Sequence, residues 1–262
     1  PVSQDFWKKV LFQEGSSLAK NARPEYEEAI SQQIAACQKI INKRFVTMTG
    51  GAGTGKSTVI KALIKAVYKL HGEGASIAVI TPTGKATDRI RRLLDEDNLK
   101  SVSTSTIHSI LARYGWLNPN MTFRTSGGKR LGDYSTVIVD ESSMIDLSLM
   151  AALFRALDWG AVGRFILVGD AAQLPPIGVG KLYADIVSHL REQYPDHLVE
   201  LTANLRQLEN RVRGKGRGIL SLANLFINNA VRGDREEDEA TAVEREQLVM
   251  KLHEGGEIDE DL

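Results

Sequence analysis

Five short apolar runs punctuate the chain, at residues 45–49, 76–81, 135–139, 164–168 and 198–201. In most of them the apolar side chains sit on consecutive rather than alternate positions. That pattern predicts strands buried on both faces, as in a parallel sheet. Between the runs, apolar residues recur at helical spacing. Pro24 followed by Glu25, Glu27 and Glu28 predicts a helix start, with acids at the positive dipole end, and the period continues to about Asn42. Further helices are predicted at 58–70, closed by Gly72 and Gly74, and at about 86–96, 105–112, 144–157, 180–191 and 218–230. Strands alternating with helices predict a three-layer α/β fold. Its mostly parallel sheet carries helices on both faces, with ligands at the carboxyl edge of the strands.

Two segments break the alternation. Residues 1–23 mix Phe6, Trp7 and Phe12 with polar positions and predict an N-terminal arm. Residues 115–133 are rich in turn signals, with Gly115, Pro119, Gly127, Gly128 and Gly132, and predict a small β-hairpin insert with Lys129 and Arg130 at its tip or edge. The main domain is then expected over 24–231.

The chemistry gathers where strands end. The first run leads into Gly50, Gly51, Gly53, Thr54, Gly55, Lys56, Ser57 and Thr58, the G-x-x-x-x-G-K-[ST] spacing of a phosphate-binding loop. Glycines let backbone N–H groups approach phosphate oxygens, and the following helix points its positive end at the same anion. Lys56 can reach the outer phosphates, and the Ser57 hydroxyl can ligate Mg²⁺. The third run ends in Asp140 and Glu141, where a carboxylate can hold Mg²⁺ through water and its neighbour can orient or deprotonate an attacking water. After the fourth run, Gln173 precedes Leu174, Pro175 and Pro176, which fix the loop's path. Arg206, after the fifth run, could complement growing γ-phosphate charge. Lys85, Arg89 and Arg92 share one helical face, turned either to nucleic-acid phosphates or to water.

Read together, the segments TGGAGTGKST (49–58), TPTGKAT (81–87), STIHSIL (105–111), VIVDESSM (137–144), LVGDAAQLPPIG (167–178) and LTANLRQ (201–207), with Gln33 upstream, resemble the N-terminal RecA-like motor domain of RecD-like superfamily 1B DNA helicases. The resemblance covers about residues 32–207. It implies an ATP-dependent motor with Mg²⁺ that moves 5′ to 3′ on single-stranded DNA. It gives Gln33 the adenine edge, Pro82, Thr83 and Lys85 the strand backbone, Thr106 and His108 a second strand contact, and Arg206 the sensing of the γ-phosphate. It also implies a second RecA-like domain across the nucleotide, for which no motif follows Gln207, so this stretch alone is expected to be weakly active or inactive. Repair or recombination proteins are the implied partners. A nucleotide-dependent switch acting on protein partners is the alternative.

Composition adds bounds. At 262 residues, 42% hydrophobic and 25% charged, the chain suits one large soluble domain or two small ones. No apolar run approaches the roughly 20 residues that span a bilayer, so no membrane partner is expected and a cytoplasmic, bacterial-type location is. The start at Pro1 rather than Met suggests a piece of a longer chain. Cys37 excludes an internal disulfide, since it is the only cysteine, and its place in a helical period predicts a small core residue. Formal charge sums to zero, but residues 234–262 hold 12 acids against three bases, so the body is basic and the segment 232–262 is an acidic, flexible tail. A basic body suits a polyanionic partner.

Overall fold

The computed structural model describes residues 2–72, 74–99 and 101–212. The expected helix at 218–230 and the acidic segment 232–262 lie outside the described residues. Two compact units emerge. Among the described residues, one comprises 2–13 and 27–204; the other comprises 14–26 and 205–212. The expected N-terminal arm is two short helices, α1 (Gln4–Leu11) in the first unit and α2 (Ser17–Asn21) in the second. Ser3 and Ser16 cap them through their hydroxyls. Trp7 and Leu11 of α1 are buried.

The first unit is built on six parallel strands: β1 (Phe45–Gly50), β2 (Ile77–Thr81), β3 (Ser103–Thr106), β4 (Thr136–Val139), β5 (Arg164–Gly169) and β6 (Leu198–Leu201). Their order is β3-β2-β4-β5-β1-β6, and every pairing is parallel. Helices α3 (Arg23–Ile41), α4 (Lys56–His71), α5 (Gly84–Glu96), α6 (Ile107–Arg113), α7 (Leu147–Ala156) and α8 (Leu182–Gln193) connect or flank the strands. β2 and β4 are buried along their whole length and β5 along all but its first residue, which is why they read as unbroken apolar runs. The architecture is RecA-like α/β, as expected, with one strand more. β3, Ser-Thr-Ser-Thr, pairs only with β2 at the sheet edge. An edge strand needs no second apolar face, so its sequence carries no apolar run.

Cys37 is a buried free thiol in the core, and burial pushes its pKa far up. In the second unit α2 lies against α9 (Leu205–Val212), and Arg23 pairs with Glu14 at 3.0 Å on an exposed surface.

The insert holds a small hairpin at its tip. Leu117 and Phe123 form an antiparallel bridge, flanked by the Asn118 amide donating to the Thr122 carbonyl and the Arg124 amide donating to the Trp116 carbonyl, each at 2.9 Å. The turn between them contains Pro119 and Met121, the latter at a left-handed φ of 63°. The insert's hold on the body comes from Trp116, buried among core residues of α6 and α7 with Leu131. Trp116 Nε1 donates to the Lys129 carbonyl at 2.8 Å. Gly128 lies against the ring so closely that a Cβ there would sit 2.5 Å from it.

Asp97, just past α5, ties that helix to α4. Lys61 and Lys65, one turn apart on α4, reach its two oxygens at 2.6 and 2.8 Å. Burial, the largest influence on Asp97, raises its pKa, but the two lysines outweigh it and hold the carboxyl below its ordinary value. A depressed folded pKa adds stability that is present above the unfolded value of about 4 and is lost as pH falls through the folded one. Asp97→Asn is therefore expected to lower stability by about 1–2 kcal/mol at pH 7, with the difference shrinking below pH ~4. Urea titrations at both pH values check this, and an equal loss at the two would remove the ion pairs as its cause.

Candidate active site

The loop between β1 and α4 is shaped by its glycines at two places. Gly53 and Gly55 take left-handed φ of 87° and 88°. A Cβ on Gly50 would stand 2.7 Å from Thr54 Oγ1 and 2.8 Å from the Leu201 carbonyl. No side chain caps α4 at Gly55, which leaves its first-turn N–H groups to an anion. Lys56 Nζ meanwhile donates to the carbonyls of Gly50 at 2.5 Å and Gly51 at 3.0 Å. Burial lowers the Lys56 pKa, against the pull of Asp170, Glu141 and Asp140. Ser57 and Thr58 follow in the first turn of α4.

Adjacent glutamines on α3 support this loop and the exit of β6 separately. Gln33, 1% exposed, donates from Nε2 to the Thr54 carbonyl at 3.2 Å, and its Oε1 has no hydrogen-bond partner among the described residues. Gln32 accepts from the amides of Thr202 and Ala203 and donates to Thr202 Oγ1 at 2.7 Å.

The carboxylates sit at the end of β4. Asp140 is 1% exposed and its amide donates to the Ile80 carbonyl. Glu141 has a left-handed φ of 56°, an unfavourable conformation for a side-chain-bearing residue, and opens a 3₁₀ turn over Ser142–Met144. Arg89 of α5 bridges the two, with Nη2 at 3.3 Å from Asp140 and 2.9 Å from Glu141. Burial raises the Asp140 pKa and Glu141 adds to it, while the Glu141 amide, Arg89 and Lys56 oppose. Beyond β5, Asp170 accepts from the Ala172 amide and Thr49 Oγ1 accepts from Ala171. Gln173 is exposed, and its Oε1 accepts from Ser143 at 3.3 Å.

One cleft of about 1310 Å³ joins these parts to the start of α5: Ser57, Glu141 and Gln173 line it together with Thr83, Lys85 and Arg89. Thr83 caps α5 by accepting from the Ala86 amide, and Thr106 caps α6 by accepting from that of Ser109. Pro82, which precedes Thr83, is half-buried and Lys85 exposed. His108 packs against Phe123 of the insert, with ring centroids 5.7 Å apart. Arg206 is carried by α9 of the second unit. No pattern along the chain marks the Arg89 bridge, the contacts of Asp170, or Gln32 as the tie to the β6 exit. The one available hint was that Arg89 follows Lys85 by four residues on a helix starting beside the site.

Ser57 and Asp140 supply hard oxygen donors suited to a divalent cation such as Mg²⁺. Among the described residues no group of three or more His, Cys, Asp or Glu side chains could hold a metal. Mg²⁺ characteristically takes one or two protein ligands and completes its shell with phosphate and water, so these two residues fit it.

A family model described as an AAA domain (AAA_19) matches residues 32–179, the stretch from Gln32 through the loop after Gln173. The chain belongs to this AAA domain family. Nucleotide binding by the loop at Gly50–Ser57 follows from that membership. The RecD subunit of the RecBCD enzyme of Mycobacterium tuberculosis is 35% identical over 176 residues, which covers 62% of this chain and 29% of that protein. The ATP-dependent RecD2 DNA helicase of Deinococcus radiodurans is 33% identical over 170 residues, covering 63% and 20%. An uncharacterized protein of Methanocaldococcus jannaschii, MJ1519, is 29% identical over 258 residues, covering 91% and 21%. This AAA domain is thus RecD-like, and the chain spans less than a third of the length of these relatives. Among the described residues no helix is long and apolar enough to cross a membrane.

Proposed function

We propose that this domain binds and hydrolyses ATP as the motor of a DNA helicase moving 5′ to 3′ on single-stranded DNA. The observation that carries the reading is the single cleft. Ser57, Glu141 and Gln173 line it together with Thr83 and Lys85 at the start of α5. Candidate residues for the chemistry and for the strand grip thus share one cleft.

Lys56 leaves its loop carbonyls for the β- and γ-phosphates, and Ser57 and Asp140 hold the Mg²⁺. When bound, Mg²⁺ neutralises charge that develops on the phosphate oxygens. Glu141 orients a water in line with the γ-phosphate and takes its proton. Gln173, tethered by Ser143, meets the same phosphate and reports whether it is present. Gln33 Oε1 is the acceptor that an adenine amino group requires, which favours ATP over GTP. Arg206 senses the γ-phosphate, and a second RecA-like domain closes the nucleotide from the opposite side.

On the strand side, Pro82, Thr83, Lys85, Thr106 and His108 meet mainly the sugar–phosphate backbone. Binding is then salt-dependent and tolerant of sequence. DNA-stimulated ATP hydrolysis by the full-length protein tests the proposal. Stimulation by single-stranded DNA is the expected result. A rate indifferent to both single- and double-stranded DNA would overturn it in favour of a nucleotide-dependent switch acting on proteins. Repair or recombination proteins are the partners this reading suggests.

A further inference from the structure

Asp140 is a buried carboxylate, and a buried charge is tolerated only with a partner. Lys56 is engaged by the Gly50 and Gly51 carbonyls, so the cation that touches Asp140 is Arg89. The same nitrogen holds Glu141 at 2.9 Å. Yet Arg89's own side chain is 55% exposed in the cleft, one helical turn from Lys85. A single helix face thus presents a strand-facing lysine and, one turn on, an arginine clasped to both carboxylates.

The clasp conflicts with the chemistry. Arg89 Nη2 holds Asp140 Oδ2 and Glu141 Oε1, so a cation or a water at either oxygen has to compete with it. A strand phosphate at the start of α5 offers it a strong alternative, since guanidinium pairs readily with phosphate. We infer that Arg89 is a coupling arm: it clasps Asp140 and Glu141 when no strand is bound, and a strand phosphate draws it off, readying the carboxylates for Mg²⁺ and water. Arg89 is a positioning residue, acting through the two carboxylates. The inference rests on the motor reading above. By linkage, strand binding then tightens Mg²⁺-nucleotide binding, and Mg²⁺-nucleotide tightens strand binding by the same factor.

The test is a Mg²⁺ titration of the 262-residue chain with a fluorescent non-hydrolysable ATP analogue, with and without oligothymidylate. In the unsubstituted chain the oligonucleotide should lower the half-maximal Mg²⁺ concentration about fivefold or more. Arg89→Ala should show the lowered midpoint without oligonucleotide and no further shift with it. Arg89→Gln, which keeps most of the aliphatic stem, should behave alike. Arg91→Ala removes an equal charge from the same helix at a residue that pairs with Asp88, touches neither carboxylate and does not line the cleft, and it should keep the shift. An oligonucleotide shift retained in Arg89→Ala overturns the inference, as does its equal loss in Arg91→Ala. A chain that binds no nucleotide at any Mg²⁺ concentration sinks the motor reading itself.

Discussion

Lys56→Ala is expected to abolish ATP turnover by the full-length protein, with hydrolysis falling at least about 10²–10³-fold, the usual effect of removing one preorganised charge-stabilising donor. The ammonium sits within a tight loop, bonded to the carbonyls of Gly50 and Gly51, and the charges of Asp170, Glu141 and Asp140 favour its protonated form. Its removal leaves the loop's N–H groups in place but deletes the mobile positive charge that reaches the outer phosphates. Binding of the nucleotide should weaken, and turnover should fall further than binding, because charge on the phosphate oxygens grows toward the transition state. Comparing analogue affinity with hydrolysis rate separates the two losses. Turnover within tenfold of the unsubstituted protein would remove Lys56 from the chemistry.

Glu141→Gln should separate binding from hydrolysis more sharply. The amide has the shape of the carboxylate but takes no proton from water, and losing a positioned general base costs about 10²–10⁴-fold. Asp140 and Ser57 are untouched, so Mg²⁺-dependent nucleotide binding should persist. Gln can keep the left-handed backbone only as well as Glu does, at the same φ of 56°, so the fold should not suffer additionally. Unchanged hydrolysis in this variant would show that the attacking water is handled elsewhere. Retained strand binding alongside lost turnover would also identify the variant as a useful trap for the ATP-bound state.

How far the sequence carried the reading depended on burial. β1, β2, β4, β5 and β6 announced themselves because their apolar residues run on through buried positions. β3 did not, because the sheet edge tolerates Ser-Thr-Ser-Thr. Asp140 and Glu141 stood out as acids ending an apolar strand, whereas their bridge to Arg89 joins segments far apart in the chain and depends on how α5 lies against the sheet. Gln32 and Gln33 are neighbours that diverge by about 100° around their helix. The pattern could not tell which turned toward Thr54 and which toward Thr202. Turn residues revealed the insert, but its grip on the body came from one tryptophan whose burial the surrounding glycines and polar residues concealed.

That grip decides how the insert bears load. Trp116 is sunk among residues of α6 and α7, Gly128 is pressed to its ring, and Leu131 bridges to Leu157. Nothing in this anchorage resembles a hinge. A push on the tip would meet the stiffness of the packed interior and pass into the helices beside β4, so the insert behaves as a fixed buttress and not as a swinging arm.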